Sequence, residues 1–257
     1  MRRFRWEHGF AFVAVALLAV AAYALLASLR TERLAAFSTS LSERSPEQLH
    51  NIQLAARRID GAILEPGRDW SFNRTAGPYT GYLTAPAIIA GEVRPSPGGG
   101  VCQVSSTLYN AALLAGLKIV ERHAHLWPVR SVPPGRDAMV SDLNADLRLR
   151  NPYHAPLTLR ARVSGESLVI SLWGRGKPRP IALQVDAQTV APPSVTRLDS
   201  RIPVGTSRVQ PGRPGCRCTV WRVIGRKQEM ISEDFYQPRD TVRFVSRQRT
   251  GRGMTRP

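Results

Sequence analysis

The chain has 257 residues, 43% of them hydrophobic, and a formal net charge of +17. That apolar share excludes a wholly disordered chain and allows one medium core or two small ones. Lysine occurs only at Lys118, Lys177 and Lys227, so the cationic excess is almost all arginine; it directs attention to acidic partners such as nucleic acid, anionic lipid or anionic wall polymer.

Arg2, Arg3 and Arg5 precede an uncharged apolar run from Gly9 to Leu29. About 20 such residues span a bilayer, whereas the apolar core of a cleaved signal peptide has about 7–15. Residues 1–29 therefore read as an uncleaved signal anchor, one N-terminal transmembrane helix. That makes the chain a single-pass protein of the cell membrane, extracytoplasmic from about Arg30 onward. The residues after Arg2-Arg3 do not fit a twin-arginine signal. Export sets nucleic acid aside as a partner and leaves the cytoplasmic membrane as one.

Residues 30–47 are polar with a weak helical pattern and read as a juxtamembrane stalk. From Gln48, the apolar positions Ile52, Leu54, Ala55, Ala56 and Ile59 predict a helix ending at Asp60-Gly61. Ala62-Ile63-Leu64 and Trp70-Ser71-Phe72 read as short strands, residues 73–82 as a loop rich in glycine and threonine. Ala87 to Ala90 is a further short apolar run. After a second helix come β-like stretches at Leu117 to Arg122, Asp146 to Arg150, Thr158 to Val163 and Leu168 to Trp173. Residues 48–175 thus predict an α+β domain with a mainly antiparallel sheet. Lys177-Pro178-Arg179-Pro180 is a linker. Residues 176–245 have almost no helical pattern and read as a small all-β module, and residues 246–257 as a basic disordered tail.

The second helix carries the chemistry. Gly98-Gly99-Gly100 is followed at once by Cys102, and Val104, Leu108, Ala111, Ala112 and Ala115 recur at helical spacing until Gly116. Cys102 therefore stands at a helix N-terminus, where free N–H groups and the helix dipole favour an anion, and a thiolate is such an anion. The glycines leave the approach to the thiol open, and polar Gln103, Ser105, Ser106 and Thr107 surround it. The alternative is a cysteine that merely packs. The cysteine count of three is odd. Cys216 and Cys218 stand together, which leaves Cys102 unpaired; a Cys-x-Cys disulfide is strained, so those two are open to being reduced, and they lack a second ligand pair for a metal. A thiol nucleophile needs a base, and the base an orienting group. His125 and Asp137 follow Cys102 in order. His123 competes for the role of base, since both histidines point to one side of an extended chain. The alternatives are a structural histidine and a turn acid paired with an arginine. His154 reads as a loop residue and His50 as a surface position.

Residues from about Asn51 to Arg150 resemble the VanW family. The resemblance is carried by Asn51-Ile52 with Ala55-Ala56, Asp60-Gly61 with Leu64, Pro66 and Gly67, Ser71-Phe72-Asn73 with Gly77, and Gly98 through Leu114. It continues in His125, Pro128-Val129, Pro134-Gly135-Arg136-Asp137-Ala138 and Asp146-Leu147. Leu126 and Ser131 stand where the family commonly has serine and tyrosine. The segment from Ile181 to Val245 more loosely resembles a small β module that often follows this domain and is suspected of binding wall sugars. Its carrying residues are Ile202-Pro203-Val204, Gln210-Pro211-Gly212, Pro214-Gly215 and Val220-Trp221-Arg222-Val223. Some VanW-domain proteins are understood to be L,D-transpeptidases, so the resemblance implies a peptidoglycan cysteine acyltransferase with Cys102 as nucleophile. His125 and Asp137 complete the catalytic set. The backbone N–H groups of Cys102 and Gln103, with a Ser105 or Ser106 hydroxyl, are the expected oxyanion donors, and Asn73 and Arg136 the further substrate contacts. Stem peptides or another wall polymer are the expected partners, with no metal or organic cofactor. The rivals are a non-catalytic wall-binding protein and a thiol peptidoglycan hydrolase.

Overall fold

The computed structural model describes residues 31–246 apart from Tyr79, Ala90, Gly91 and Leu143. The signal anchor expected over residues 1–29 and the basic tail beyond Ser246 lie outside the described residues. Among the described residues no helix is long and apolar enough to cross a membrane. In chain order the elements are β1 (Thr31–Ser40), α1 (Pro46–Ile59), β2 (Ile63–Leu64), β3 (Asp69–Ser71), α2 (Phe72–Ala76), β4 (Thr84–Ile89), β5 (Glu92–Pro97) and α3 (Val101–Leu114). There follow β6 (Lys118–Glu121), β7 (Arg148–Arg150), β8 (Leu157–Ser164) and β9 (Ser167–Arg175). A second group comprises β10 (Ile181–Val190), β11 (Ser194–Leu198), β12 (Ser207–Gln210), β13 (Gly215–Ile224), β14 (Lys227–Tyr236) and β15 (Thr241–Val245).

The organising layer is a four-stranded antiparallel sheet in the order β1-β9-β8-β2. Its two long inner strands alternate as a half-buried sheet requires: Leu157, Leu159 and Ala161 face the core while Arg160 and Arg162 face out. Helices α1 and α3 cover the inner face, α1 against β8 and α3 against β1, β9 and α1. A three-stranded sheet β3-β7-β6 and the hairpin β4–β5 flank the helices. The fold is β-rich α+β, with antiparallel pairing throughout the larger sheets.

Helix α1 starts where its sequence says it should. Ser45 Oγ accepts from Gln48 N at 3.3 Å, Gln48 Oε1 accepts from Ser45 N at 3.1 Å, and Pro46 takes the first helical position. Ile52, Ala55, Ala56 and Ile59 form its buried face. Helix α3 differs, because it is buried almost all round. Strand β1 on one side and α1 on another enclose it, so its polar residues must find partners inside the protein.

The stalk expected over residues 30–47 is not what the chain forms there. Residues Thr31–Ser40 are strand β1, paired with β9 along its whole length, with Leu34 and Thr39 buried. Leu34, Ala35, Ala36 and Glu32 are residues of good helix propensity, and the unpaired edge of β9 overrides that local preference. The loop expected from Asn73 likewise begins with helix α2, which Ser71 caps by accepting from Arg74 N at 3.1 Å, so that β3 stops one residue earlier than its alternation suggests.

The triple glycine also has a different reason from the one its composition suggests. It does not hold an approach open; it lets backbones touch. A Cβ on Gly99 would stand 2.6 Å from Pro86 O and 2.7 Å from Ala85 O of strand β4, and Gly100 adopts φ +103 with Gln48 O of α1 only 3.1 Å from a Cβ position. Gly99→Ala is expected to destabilise the protein by about 1–3 kcal/mol through overpacking, read as a lowered urea midpoint with an unchanged slope.

The second group of strands makes two small sheets, β10-β13-β14 and β11-β15-β12, the latter with β11 parallel to β15. This module is not loosely tethered. Arg222 of β13 donates to Leu117 O at 2.7 Å, and Gln237 N donates to Leu126 O at 2.9 Å. Leu183 and Ile231 pack against the core of the first domain.

A candidate cysteine–histidine–aspartate site

Cys102 is the second residue of α3 and is half-buried; its thiol donates to Val140 O at 3.4 Å. His125 and Asp137 come from the long irregular segment between β6 and β7. Asp137 Oδ2 accepts from the His125 backbone N–H at 2.8 Å and contacts His125 Nδ1 at 2.5 Å. The backbone contact fixes the residue, and the side-chain contact fixes the ring. With Nδ1 taken, Nε2 is the remaining ring nitrogen, and Cys102 is near enough to the ring to favour its charged form.

The two histidines do not share an environment. Strand β6 stops at Glu121, so the two-residue alternation does not extend to His125. The His123 side chain is 40% exposed and sits on Glu121 Oε1 at 3.0 Å, while that of His125 is 8% exposed. His154 is exposed, and so is His50 on α1.

Burial works against a charge on both members of the pair, yet the pair is ionic. Burial alone pulls the His125 ring down; the bond to Asp137 and the contacts with Cys102 outweigh it and raise the ring to about 9. Burial likewise pushes the Asp137 carboxyl up, but His125, Arg122 and Tyr236 together hold it below the usual carboxylate range. Behind Asp137 stands a second layer that the sequence did not reveal. Arg122 Nη2 donates to Asp137 Oδ1 at 2.9 Å, Arg122 Nε donates to Asp137 O at 2.7 Å, and Arg122 Nη1 reaches Asp234 Oδ1 of β14 at 2.5 Å. The Tyr236 hydroxyl, also from β14, donates to Asp137 Oδ1. Charges thus alternate along His125, Asp137, Arg122 and Asp234, and the row as a whole is neutral. That neutrality is what makes its burial tolerable.

The expected oxyanion donors divide. The Ser105 hydroxyl donates to Ala138 O at 2.6 Å and Cys102 O at 3.1 Å; the Ser106 hydroxyl donates to Cys102 O at 2.6 Å and accepts from Ala138 N at 2.9 Å. Both are buried and tie the start of α3 to the strand-like segment after Asp137, so neither hydroxyl faces the thiol's open side. The Gln103 N–H donates to Gly100 O at 2.9 Å, and the Gln103 side chain bridges Arg44, Thr39 and Ser40. Of the expected donors the Cys102 N–H is left, in the first turn of α3. Asn73 donates to Ser141 O at 2.7 Å and Ala145 O at 2.9 Å, which holds the loop after Val140. Arg136 Nε donates to Asn110 Oδ1 at 2.5 Å, and its guanidinium lies 4.9 Å from the Phe37 ring centroid; it clamps α3 to β1.

Cys216 and Cys218 carry free thiols on β13. Burial, then the nearby Asp234, pushes Cys218 up to about 12, which makes it an unreactive thiol. Among the described residues no group of three or more histidine, cysteine, aspartate or glutamate side chains is placed to hold a metal. Two surface grooves are lined by other residues, one over β8 and β9 by Arg160, Arg162 and Trp173, the other between α1 and β8.

The structure thus defines a β-rich α+β domain in which a thiol stands at the start of a buried helix, near an imidazole held by a carboxylate. Residues 47–173 match the family described as VanW like protein, and the chain carries a VanW domain there. It is 43% identical over 152 residues to the uncharacterized protein YoaR of Bacillus subtilis (strain 168), covering 58% of this chain and 50% of that one. It is 27% identical over 142 residues to the vancomycin B-type resistance protein VanW of Enterococcus faecalis (strain ATCC 700802 / V583), covering 51% of each. The chain thus spans about half the length of these curated relatives. Part of it is similar to two solved structures at 15% identity: the IgA1 protease G5 domain, with TM-score 0.23, 26% of this chain and 87% of that one, and HP0197-G5, with TM-score 0.19, 25% and 93%.

Proposed function

We propose that the protein is a cell-envelope cysteine acyltransferase acting on peptidoglycan stem peptides in the manner of an L,D-transpeptidase. Its N-terminal helix would anchor it in the cell membrane with the domains outside. The observation that carries the reading is the buried ionic pair of His125 and Asp137 beside Cys102. The carboxylate on Nδ1 fixes the ring and favours the imidazolium that would give its proton to a leaving amine. The name of the Enterococcus relative, with its reference to vancomycin resistance, supports a place at the cell wall.

In this reading the Cys102 thiolate attacks a stem-peptide carbonyl. The carbonyl π electrons move to oxygen, where the Cys102 N–H receives the oxyanion. The tetrahedral adduct collapses, the C–N bond breaks, and the His125 imidazolium gives its Nε2 proton to the departing D-amino acid. An amine of a second stem then attacks the thioester. Nε2 takes the proton lost from that amine, the C–S bond breaks, and the thiolate is restored. Water in place of the amine gives hydrolysis. The arginine-rich surface would hold stem carboxylates or another anionic wall polymer.

The test is incubation of the protein with purified muropeptides, with Cys102→Ala in parallel, and mass spectrometry of the products. Cross-linked dimers absent from the variant are the expected result. Shortened monomers absent from the variant would make it a thiol hydrolase. Untouched muropeptides in both, with equal wall binding, would leave a non-catalytic binding protein.

A further inference from the structure

We propose that the C-terminal β module completes this site, with Tyr236 and Asp234 of β14 as positioning residues for the His125–Asp137 pair. The inference rests on the reading of Cys102, His125 and Asp137 as a reactive set. It extends that set across what the sequence divides into two domains.

Three observations meet here. First, the Tyr236 hydroxyl is buried between two groups of the loop that carries Asp137: it donates to Asp137 Oδ1 and accepts from Gly135 N at 2.7 Å. Secondly, Asp234 is the outer counter-charge of Arg122, whose other end donates twice to Asp137; Ser232 in turn donates to Asp234 Oδ2 at 2.9 Å. Thirdly, the loop is moulded on the module. Gly135 has φ +79, and a Cβ there would lie 2.4 Å from Val220 Cγ2 and 3.1 Å from Cys218 Sγ of β13. The loop has no room to settle elsewhere while the module is in place. Remove the module, and Asp137 loses one of its four donors, Arg122 loses its second carboxylate, and the Gly135 turn loses its seat.

The charged and titratable groups that bear on the His125 ring are Asp137 from the same segment and Cys102 from α3; Arg122 and Tyr236 bear on Asp137, and Asp234 and Tyr109 on Arg122. The two β14 groups act on the ring in opposite senses. Asp234 is a negative charge that balances Arg122, so Asp234→Asn leaves Arg122 in excess and makes the imidazolium easier to deprotonate. Tyr236 competes with His125 for the lone pairs of Asp137, so Tyr236→Phe frees the carboxylate to hold the imidazole proton harder. A module that only braced the fold would, on loosening, move the ring toward its ordinary value with either change.

The experiment is an NMR titration of the histidine rings of the full chain, with His125 assigned by the loss of its signal in His125→Gln. The Asp234→Asn midpoint is expected to fall by about one pH unit. That of Tyr236→Phe is expected to rise, and that of Arg201→Ala, on an exposed turn of the same module, to match the wild type. Asp234→Glu, which restores the charge, should bring the midpoint back. Should Asp234→Asn not fold, Tyr236→Phe, which removes only an oxygen, decides the matter by the sign of its shift. Two unchanged midpoints, or two shifts in the same direction, overturn the proposal. Because no muropeptide is involved, failure here is separable from failure of the acyltransfer reading. Opposite shifts with no product would leave the module's role standing and remove the chemistry, while product with unmoved midpoints would do the reverse.

Discussion

Replacing His125 with glutamine is expected to slow acylation of Cys102 by about 10²–10⁴-fold, the usual worth of a positioned general acid. Glutamine keeps a polar side chain in the site but cannot deliver a proton. The readout is the rate at which the thioester of the whole protein appears by intact-mass spectrometry when muropeptide donor is added, with thiol counts confirming that Cys102 is still present. The pH dependence has a definite sign. The ring is raised to about 9, so the imidazolium is present below that pH and disappears as pH rises through it. Wild-type acylation should therefore fall off above about 9 while the variant shows no such limb. His123→Gln, on the exposed side of Glu121, should acylate at the wild-type rate. Equal rates for wild type and His125→Gln would remove His125 from the proton path.

Asp137→Asn is expected to be the most destabilising isosteric change in the domain. Four donors converge on this carboxylate: the backbone N–H and Nδ1–H of His125 on one oxygen, Arg122 and the Tyr236 hydroxyl on the other. Asparagine offers one acceptor oxygen, so its NH₂ group must face one of those donor pairs, and a buried arginine and imidazolium lose their shared counter-charge. Breaking a buried ionic set in this way costs about 3–5 kcal/mol, equivalent to a fall in melting temperature on the order of 10 °C. The pH sign again follows from the direction of the shift. Asp137 is held below its ordinary value, so its contribution is full above the ordinary carboxylate range and is lost as pH falls through its lowered folded-state value. The gap in melting temperature between wild type and variant should close in strong acid. A variant as stable as the wild type at neutral pH would mean that the network carries no stability.

Much of this arrangement was legible because it is local. The periodicity of α1 and its Ser45–Gln48 cap, the glycine run before Cys102 and the alternation of β8 are short-range patterns, and each leads to the element observed. Cys102, His125 and Asp137 were singled out from motif and order, and the structure sets His125 on Asp137. Where the reading failed, the deciding partner was distant in sequence. Residues 31–40 look helical until β9 offers them an edge. The glycines look like an opening until α1 and β4 are brought against them. Ser105 and Ser106 look like free hydroxyls until the segment at Ala138 takes them up. Arg122, Tyr236 and Asp234 gave no signal, because nothing local distinguishes an arginine or a tyrosine that will be buried against a partner about a hundred residues away.

That separation bears on the order of events when the protein is made. Tyr236 follows Asp137 by 99 positions and Asp234 follows Arg122 by 112. At a synthesis rate of about 5–20 residues per second, the loop bearing Asp137 is available for several seconds before either partner exists. During that interval the first domain can lay down its sheet and bury α3, yet it holds a cationic arginine and a carboxylate whose final neighbours have still to leave the ribosome. Closure of the row is thus a late, long-range step, as high-contact-order pairings are. A chain interrupted before β14 would carry the His125–Asp137 pair without the two side chains that close its row.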